Sequence, residues 1–370
     1  MRITPRAPRA TRGLVFAVAA TTAIGLAGCN RTSDSDSDTA SGDGGGAPVG
    51  VVLITKDSTN PFFVAMQNGA KADAAKNNVK LTIASGKQEG DDQGQITAIE
   101  DAIARGDKGI LITPMSTGVN AAMKKARDAG LYVIALDTPP DPADTVDITF
   151  ATDNRQAGKL IGQWAAGQVA GQPATIALLD LFSDKIVSVD YNRDQGFLEG
   201  MGIDVKDGKK NGDEAPTGKY TAAGGGDYTI VCNEAGNGEE AGGRSAMEKC
   251  LAKNPNINVV YTINEPTAVG ANAALKAAGK TATIVSVDGG CAGVASVKSG
   301  VIGATAQQYP LKMATLGMDA IAKIATGGEK PKTTEGLDFF DTGVALVSDK
   351  KAEGVESITS DEGSKICWGN

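Results

Sequence analysis

The chain has 370 residues, a formal net charge of −8 at pH 7 and no histidine. The lack of histidine excludes histidine-based acid–base catalysis and argues against a zinc site. An acidic chain without a basic stripe also argues against nucleic acid as a partner.

The first 28 residues have the layout of a secretory signal. Four arginines precede the apolar run LVFAVAATTAIGLAG, which is shorter than a typical transmembrane helix. The run ends in LAGC and resembles a bacterial lipobox, in which the cysteine, here Cys29, becomes the lipidated first residue. The alternative is a plain signal peptide with an incidental cysteine.

Residues 29–47 predict a flexible tether. They are polar and rich in Gly, Ser and Asp, so they cannot bury enough surface to offset the entropy of ordering. Removal of residues 1–28, with their four arginines and no acid, takes the net charge from −8 to −12. Signal, anchor and tether together predict a folded part held by lipid on the outer face of the cytoplasmic membrane.

From residue 48 onward, short apolar runs alternate with helical patterns. Glycines at the ends of three helical patterns, Gly130, Gly279 and Gly327, are typical of C-terminal caps. The predicted strands are, in chain order, VGVVLIT, VKLTIA, KGILIT, LYVIAL, DITFA, ATIALLD, YTIVC, INVVYTI, ATIVSV and GATA.

This alternation predicts parallel sheets covered on both faces by helices. Roughly 320 residues of it fit two lobes better than one sheet. The predicted fold class is therefore α/β, with two doubly wound parallel-sheet lobes. Ligands of open parallel sheets bind beyond the carboxyl ends of the strands, so the residues that follow each apolar run are the candidate site.

Carboxylates, amides and hydroxyls dominate these positions. Such groups suit a sugar, because hydroxyls donate to Asp and accept from Lys or Arg. Phe62 and Phe63, behind the first strand, could cover an apolar face of a sugar ring or pack in the core. The strand-end residues are Lys56, Asp57, Asn60, Thr113, Asp137, Thr138, Thr152, Asp153, Asn154, Asp180, Asn264, Glu265, Asp288, Gln307 and Gln308.

Four cysteines remain besides Cys29: Cys232, Cys250, Cys291 and Cys367. An even number in an exported chain predicts two disulfides, and four cysteines allow three pairings. Four free buried thiols are the alternative. The spacings contain no C-x-x-C pattern of a tetrahedral metal site.

Several of these motifs, in this order, resemble the type I periplasmic sugar-binding proteins, the ribose-binding-like receptors of ABC transporters. They are NPFF, ALDT, ATDN, YTINEP, SVDGG and AQQYP. Within that family the sequence is most similar to the fructose-binding branch. The motifs that carry this similarity are LITK before NPFF, EGDDQ at 89–93, GILITP and SVDGGC. The resemblance covers the chain from residue 49 to the end.

The resemblance implies two lobes joined by three crossovers and closing on the ligand. The first lobe would take residues 48–152 plus 309–340, and the second 153–308 plus 341–370. It also leads us to expect the disulfides Cys232–Cys250 and Cys291–Cys367, both within the second lobe.

The family's binding positions transfer residue by residue. Asn60 stands at a hydroxyl-binding position, Phe62 and Phe63 at the stacking positions, and Thr138 replaces the arginine of ribose receptors. The complete set of candidate ligand residues is Lys56, Asn60, Phe62, Phe63, Asp137, Thr138, Asp153, Arg193, Asn237, Asn264, Asp288 and Gln308. Residues 203–228 are Gly-rich and charged and predict an extended surface loop.

Some of these residues have a structural role as the alternative to ligand binding. Asp137 and Asp288 could cap the element that follows them, and Asn264 could form a turn. Arg193 could make a surface pair with a neighbouring aspartate, which would stabilise little. We expect Trp164 in the core and Trp368 packed against the second lobe.

The function predicted from these residues and the resemblance is that of a monomeric receptor of an ABC importer, without metal or cofactor. It would bind a monosaccharide, fructose by the nearest pattern, and deliver it to a membrane permease. Other pentoses, hexoses or polyols are alternatives, as is a sugar sensor with a membrane signalling partner. An enzyme is a weaker alternative: Asp137 and Asp288 could serve as a glycosidase pair, but no nucleophile motif is present.

Overall fold

The computed structural model describes residues 47–369. The predicted signal, Cys29 and nearly all of the tether lie outside the described residues. No helix within the described range is both long enough and apolar enough to cross a bilayer.

The described chain forms two sheets. The first consists of parallel strands in the order β2-β1-β3-β4-β5-β12, and the second has the order β13-β11-β10-β9-β6-β8-β7 with antiparallel pairing only at its two edges. The strands are β1 (Val49–Thr55), β2 (Val79–Ser85), β3 (Gly109–Ile112), β4 (Tyr132–Leu136), β5 (Ile148–Ala151), β6 (Ala174–Asp180), β7 (Thr217–Tyr220), β8 (Gly226–Ala235), β9 (Val259–Thr262), β10 (Thr283–Asp288), β11 (Ala304–Gln307), β12 (Phe340–Asp341) and β13 (Ala345–Val347).

Helices cover both sheets, which confirms the predicted fold class. Within the described range they are α1 (Pro61–Ala74), α2 (Asp92–Arg105), α3 (Asn120–Asp128), α4 (Asn154–Gln168), α5 (Ser188–Met201), α6 (Glu240–Lys253), α7 (Glu265–Ala277), α8 (Cys291–Lys298), α9 (Pro310–Ala325) and α10 (Ser360–Gly363), with single 3-10 turns at Thr117–Val119, Ala143–Thr145 and Ala222–Gly224. Gly130, Gly279 and Gly327 follow helix ends with φ of 87°, 64° and 83°, as expected of C-terminal glycines.

Each sheet defines a lobe, and the chain passes between the lobes three times. It leaves the first sheet after β5, returns after β11 to add α9 and β12, and crosses again before β13. Three separate segments therefore join the two lobes.

The core of each lobe lies between its sheet and helices. Trp164 of α4 is 1 % exposed in the second-lobe core, as predicted, and its Nε1 donates to the Lys350 carbonyl at 2.7 Å. Helices α4 and α5 touch through glycines, since a Cβ at Gly158 or Gly196 would collide with the facing backbone. This close approach holds α5, which carries Arg193, firmly against α4.

The prediction of an extended loop over residues 203–228 is wrong for its second half. Strand β7 pairs antiparallel with β8 and extends the edge of the second sheet. Tyr220 and Tyr228 bury their rings, and their hydroxyls donate to backbone carbonyls. The two tyrosines supply enough apolar contact to order a segment whose overall composition is that of a loop.

Both predicted disulfides are present in the structure. Cys232 in β8 bonds Cys250 near the end of α6, and Cys291 at the start of α8 bonds Cys367 in the C-terminal tail. The second bond closes a loop over 76 residues and holds the tail against the second lobe. Strand β8 continues to Ala235, so Cys232 lies within the strand and not at its end.

Candidate ligand-binding site

A cavity lies between the two lobes at the carboxyl ends of the strands. Nine of the twelve predicted site residues line it, so the fold brings together side chains that are up to about 250 positions apart in sequence. The lining residues are Lys56, Asn60, Phe62, Phe63, Glu89, Asp137, Leu181, Val189, Arg193, Ile263, Asn264, Asp288 and Gln308.

The lobes are closed over this cavity. Its volume is about 30 Å³, which is small for a ligand site. At the rim, Lys185 of the second lobe lies 2.8 Å from Asp92 of the first, and Lys209 lies 2.6 Å from Asp141. Anything of the size of a sugar must therefore enter while the lobes are apart.

Asn60 is placed by local capping at the start of α1. Its Oδ1 accepts a hydrogen bond from the Phe62 amide at 3.0 Å, and Pro61 occupies the first helical position. The Asp57 carboxylate in turn accepts from the amides of Thr59 and Asn60, both at 2.7 Å. The side-chain amide of Asn60 makes no hydrogen bond to another described residue, so it is available to a ligand.

Phe62 and Phe63 satisfy both readings of their sequence position. Each is 3 % exposed and belongs to the first-lobe core, yet both line the cavity. Their rings meet edge to face, with centroids 5.4 Å apart. Lys56 Nζ lies 6.0 Å from the Phe63 centroid and 3.9 Å from the Asp137 carboxylate. The two rings therefore form an apolar wall beside charged groups.

Arg193 lies between two aspartates, one from each lobe. Its guanidinium is 4.0 Å from the Asp137 carboxylate and 3.9 Å from that of Asp288. Its Nε donates to Asn154 Oδ1 at 2.7 Å and its Nη1 to the Ile263 carbonyl at 2.9 Å. Only 5 % of the side chain is exposed, so the surface-pair reading of Arg193 is wrong. These bonds orient the guanidinium towards the cleft.

Asp137 and Asp288 both have strained backbones, with φ of 64° and 144°. Positive φ in a residue other than glycine is uncommon and concentrates at functional sites. Neither side chain caps a helix: the Asp137 carboxylate accepts from the Thr138 hydroxyl at 2.7 Å, and that of Asp288 from the Gln308 amide at 2.8 Å. The capping reading of these aspartates is therefore wrong.

Burial controls the ionisation of this part of the site. It raises the pKa of Asp288 to about 6, although Arg193 and the Gln308 hydrogen bond oppose the rise. Behind Asp288, burial raises the pKa of Glu265 to about 8, with Asp288 adding to the rise. The Glu265 carboxyl accepts from the amides of Gly289 and Gly290 at 2.8 and 3.1 Å and supports the turn after β10.

Asn264 combines a structural role with a place in the site. Its Oδ1 accepts from the amide and the hydroxyl of Thr267 and so caps α7, and its Nδ2 donates to the Gly238 carbonyl at 2.9 Å. Its side chain also lines the cavity. The local capping fixes where it stands in the cleft.

Three predicted residues do not line the cavity. Thr138 is buried and bonds Asp137, as described above. Asp153 caps α4 by accepting from the Gln156 amide at 2.9 Å. Asn237 is exposed in a turn with φ of 53°, next to a neighbouring groove. Position after a strand therefore marks helix caps and turns as well as ligand contacts.

Sequence reasoning missed Glu89 and the apolar residues Leu181, Val189 and Ile263 among the lining residues. Glu89 belongs to the motif EGDDQ, which contributed to the family resemblance but did not lead us to predict a ligand contact at this residue. The apolar residues carry no signal, because Leu181 and Ile263 continue the hydrophobic runs of β6 and β9, and Val189 lies in the first turn of α5.

Trp368 packs against the second lobe as predicted, since a Cβ at Gly290 would lie 3.3 Å from its indole ring, and it also contacts the first lobe. Its carbonyl accepts from the Cys291 amide at 2.9 Å, in the second lobe. Its indole packs against Phe62 of the first lobe and donates to the Gln308 carbonyl at 2.8 Å. The tail therefore bridges both lobes beside the cavity.

No group of three or more acidic or cysteine side chains among residues 47–369 is arranged to hold a metal ion.

Residues 51–330 match the family described as periplasmic binding protein domain, and the chain belongs to that family. It is 31 % identical over 296 residues to the galactofuranose-binding protein of Escherichia coli, covering 77 % of this chain and 85 % of that protein. It is 26 % identical to the ribose import binding protein of Salmonella typhimurium, covering 75 % of this chain and 85 % of that protein.

Among solved structures, that of a galactofuranose binding protein superimposes with a TM-score of 0.70 at 25 % identity and covers 86 % of this chain and 98 % of that one. The two-lobed fold is therefore that of the family. Its members are solute-binding proteins, so this chain is a solute-binding protein and not an enzyme.

Proposed function

We propose that this protein is the extracytoplasmic receptor of an ABC importer and that it binds a neutral monosaccharide in the cleft between its lobes. The observation that carries the proposal is the Arg193 guanidinium held between Asp137 and Asp288, beside the wall of Phe62 and Phe63. The galactofuranose and ribose proteins to which the chain is similar support the same ligand class.

Each part of the cavity has a role in this proposal. The Phe62 and Phe63 rings cover the C–H face of the sugar. The carboxylates of Asp137 and Asp288 accept hydrogen bonds from hydroxyls, and Arg193 and Lys56 donate to sugar oxygens. The amides of Asn60, Asn264 and Gln308 complete the ring of polar contacts.

Closure of the lobes selects the ligand. The protein exchanges between open and closed arrangements, and a sugar that contacts both lobes shifts the population to the closed one. The rim pairs Lys185–Asp92 and Lys209–Asp141 form only when the lobes meet and add to the stability of the closed form. A membrane permease then recognises the closed receptor and takes the sugar from it.

Within the monosaccharides we propose fructose. Lys56 at the end of β1 and Thr138 in place of an arginine follow the fructose-like pattern, and Lys56 lines the cavity. Thr138 acts through Asp137, since its hydroxyl donates to that carboxylate. The neighbour of Asp137 is therefore a neutral hydroxyl, whereas ribose receptors have the cationic side chain of arginine at the position of Thr138.

We further propose that Cys29 is lipidated and that residues 29–47 tether the receptor to the outer face of the cytoplasmic membrane. The LAGC sequence at the end of the apolar run supports this. Globomycin treatment of producing cells tests it, because inhibition of the lipoprotein signal peptidase leaves the uncleaved precursor. Normal processing in its presence would contradict a lipid anchor.

Isothermal titration calorimetry with fructose, ribose, galactose, allose, xylose and xylitol tests the ligand. Tight binding of fructose alone is the expected result. Tight binding of another of these sugars would retain the receptor and reject the fructose assignment. Absence of binding across the set would contradict a monosaccharide receptor.

A further inference from the structure

Glu89 enters the cavity from a loop that the family resemblance did not assign to ligand binding. The loop joins β2 to α2 in the first lobe, and Glu89 lines the cavity together with Lys56 and Asp137. It faces the second lobe closely, since a Cβ at Gly238 would lie 3.7 Å from the Glu89 Cγ. The Glu89 side chain therefore stands where the two lobes close on a ligand.

One oxygen of this carboxyl group has no partner in the closed structure. Glu89 Oε2 is shielded from solvent and makes no hydrogen bond to any described residue. A buried acceptor without a donor costs about 1–3 kcal/mol, and more when it is charged. A ligand hydroxyl in the cleft would supply the missing donor.

The surroundings of Glu89 are electrostatically unfavourable to a bare carboxylate. Burial raises its pKa to about 7; Lys56 opposes the rise, whereas Asp57, Asp137 and Glu239 add to it. The cavity is lined by two cationic side chains, Lys56 and Arg193, and by three carboxylates when Glu89 is ionised. The site therefore has more acceptors than cations to neutralise them.

We propose that Glu89 is a specificity residue of the cleft, which accepts a hydrogen bond from a hydroxyl of the bound sugar and excludes sugars that carry a carboxylate or a phosphate. This proposal rests on the proposed function. An anionic sugar would bring a second negative charge into a low-dielectric cavity that already has an excess of carboxylates, and like charges there repel strongly. Neutral sugars instead satisfy the unpartnered oxygen.

Calorimetry on the purified protein tests the proposal with matched pairs of probes. Each neutral sugar is compared with an anionic derivative: fructose with fructose 6-phosphate, ribose with ribose 5-phosphate, glucose with glucuronate and galactose with galacturonate. The variants are Glu89→Gln, which keeps the shape and removes the charge, and Glu89→Asp, which keeps the charge and withdraws it by one methylene.

We expect wild-type protein to bind at least one of the neutral sugars and not to bind the anionic derivative of that sugar. Glu89→Gln should bind that sugar at least about tenfold more weakly, because a hydrogen bond to a charged acceptor becomes one to a neutral acceptor. Glu89→Asp should lie between the two. Glu239→Gln is the matched control, because it removes a charge near Glu89 at an exposed residue that does not line the cavity. This variant should bind the sugar as the wild type does.

The possible failures are distinguishable. Unchanged affinity of Glu89→Gln in the presence of normal wild-type binding would overturn the role of Glu89 and leave the receptor function standing. Binding of an anionic derivative as tightly as the neutral sugar that the wild type binds would overturn the exclusion of anions. Silence of the wild type towards every neutral sugar would contradict both the proposed function and the proposal about Glu89.

Discussion

The indole of Trp368 packs edge-on against the ring of Phe62, with centroids 5.3 Å apart and planes at 81°. The two residues come from opposite ends of the described chain and from different lobes. Phe62 is part of the cavity wall, and Trp368 also donates to the carbonyl of Gln308 in a crossover segment. The C-terminal tail therefore supports the aromatic wall from behind.

This contact predicts that Trp368 positions Phe62. Trp368→Leu should lower the free energy of unfolding by about 2–4 kcal/mol, since a large buried side chain is truncated, and it should also weaken sugar binding severalfold. Urea denaturation and calorimetry measure the two effects.

Trp164→Leu is the matched control. Trp164 is likewise buried and donates to a backbone carbonyl, but it lies in the second-lobe core away from the cavity. It should destabilise the protein and leave affinity unchanged. Equal effects of the two substitutions on affinity would show that Trp368 has no positioning role.

Asp288→Ala should reduce affinity for the sugar by at least about tenfold, because it removes an acceptor from a buried charged set and leaves Arg193 with less compensation. Asp153→Ala is the comparison, since Asp153 also follows a strand but caps α4 outside the cavity. It should cost about 1 kcal/mol of stability with normal affinity. Calorimetry that found Asp288→Ala equal to wild type would remove Asp288 from the site.

The rim pair between Lys185 and Asp92 should slow ligand release. The pair is half-buried and joins the lobes at 2.8 Å. Lys185→Met should raise the dissociation rate by about two- to fivefold, as expected for an ion pair of about 0.5–1 kcal/mol. Stopped-flow fluorescence measures the rate.

Lys125→Met is the control for the rim pair, because Lys125 pairs with Glu100 within the first lobe. Its dissociation rate should match the wild type. A Lys185→Met rate that also matched would show that the rim pair contributes nothing to closure.

Acidic side chains buried in the second lobe should make stability fall as pH rises. Burial raises the pKa of Asp180 and Asp194 well above the usual range, with repulsion from other carboxylates adding to it, and burial raises that of Asp190 to about 6. The folded protein therefore holds protons that the unfolded chain releases near pH 4. The stabilisation from these protons is therefore complete below about pH 4, the pKa of the carboxyl groups in the unfolded chain. It is lost as the pH rises through the raised pKa values of the folded protein.

Thermal unfolding at pH 5, 6.5 and 8 measures this dependence. Asp180→Asn should raise the melting temperature at pH 8 and flatten the slope, because it removes one of several buried carboxyl groups that repel one another when ionised. Asp361→Asn alters an exposed pair with Lys298 and should leave the slope unchanged. A melting temperature that rose from pH 5 to pH 8 would contradict the protonated cluster.

The alternation of apolar runs and helical patterns was sufficient to predict the α/β class and most of the strands, because burial on both faces of a parallel sheet requires continuous hydrophobic strands. Local chemistry was equally readable at helix ends, where Gly130 and Gly279 were predicted and found as C-terminal glycines. These features depend on neighbours within a few positions. The family resemblance added the two disulfide pairings.

Other features depended on contacts between distant segments. Asp153 and Asp288 have similar sequence surroundings, yet only Asp288 lines the cavity. The place of Glu89, the bridge of Trp368 to Phe62 and the position of Arg193 between two aspartates arise from the packing of two lobes on each other. A strand end shows where a side chain can meet a ligand, but the hinge decides which strand ends face one another.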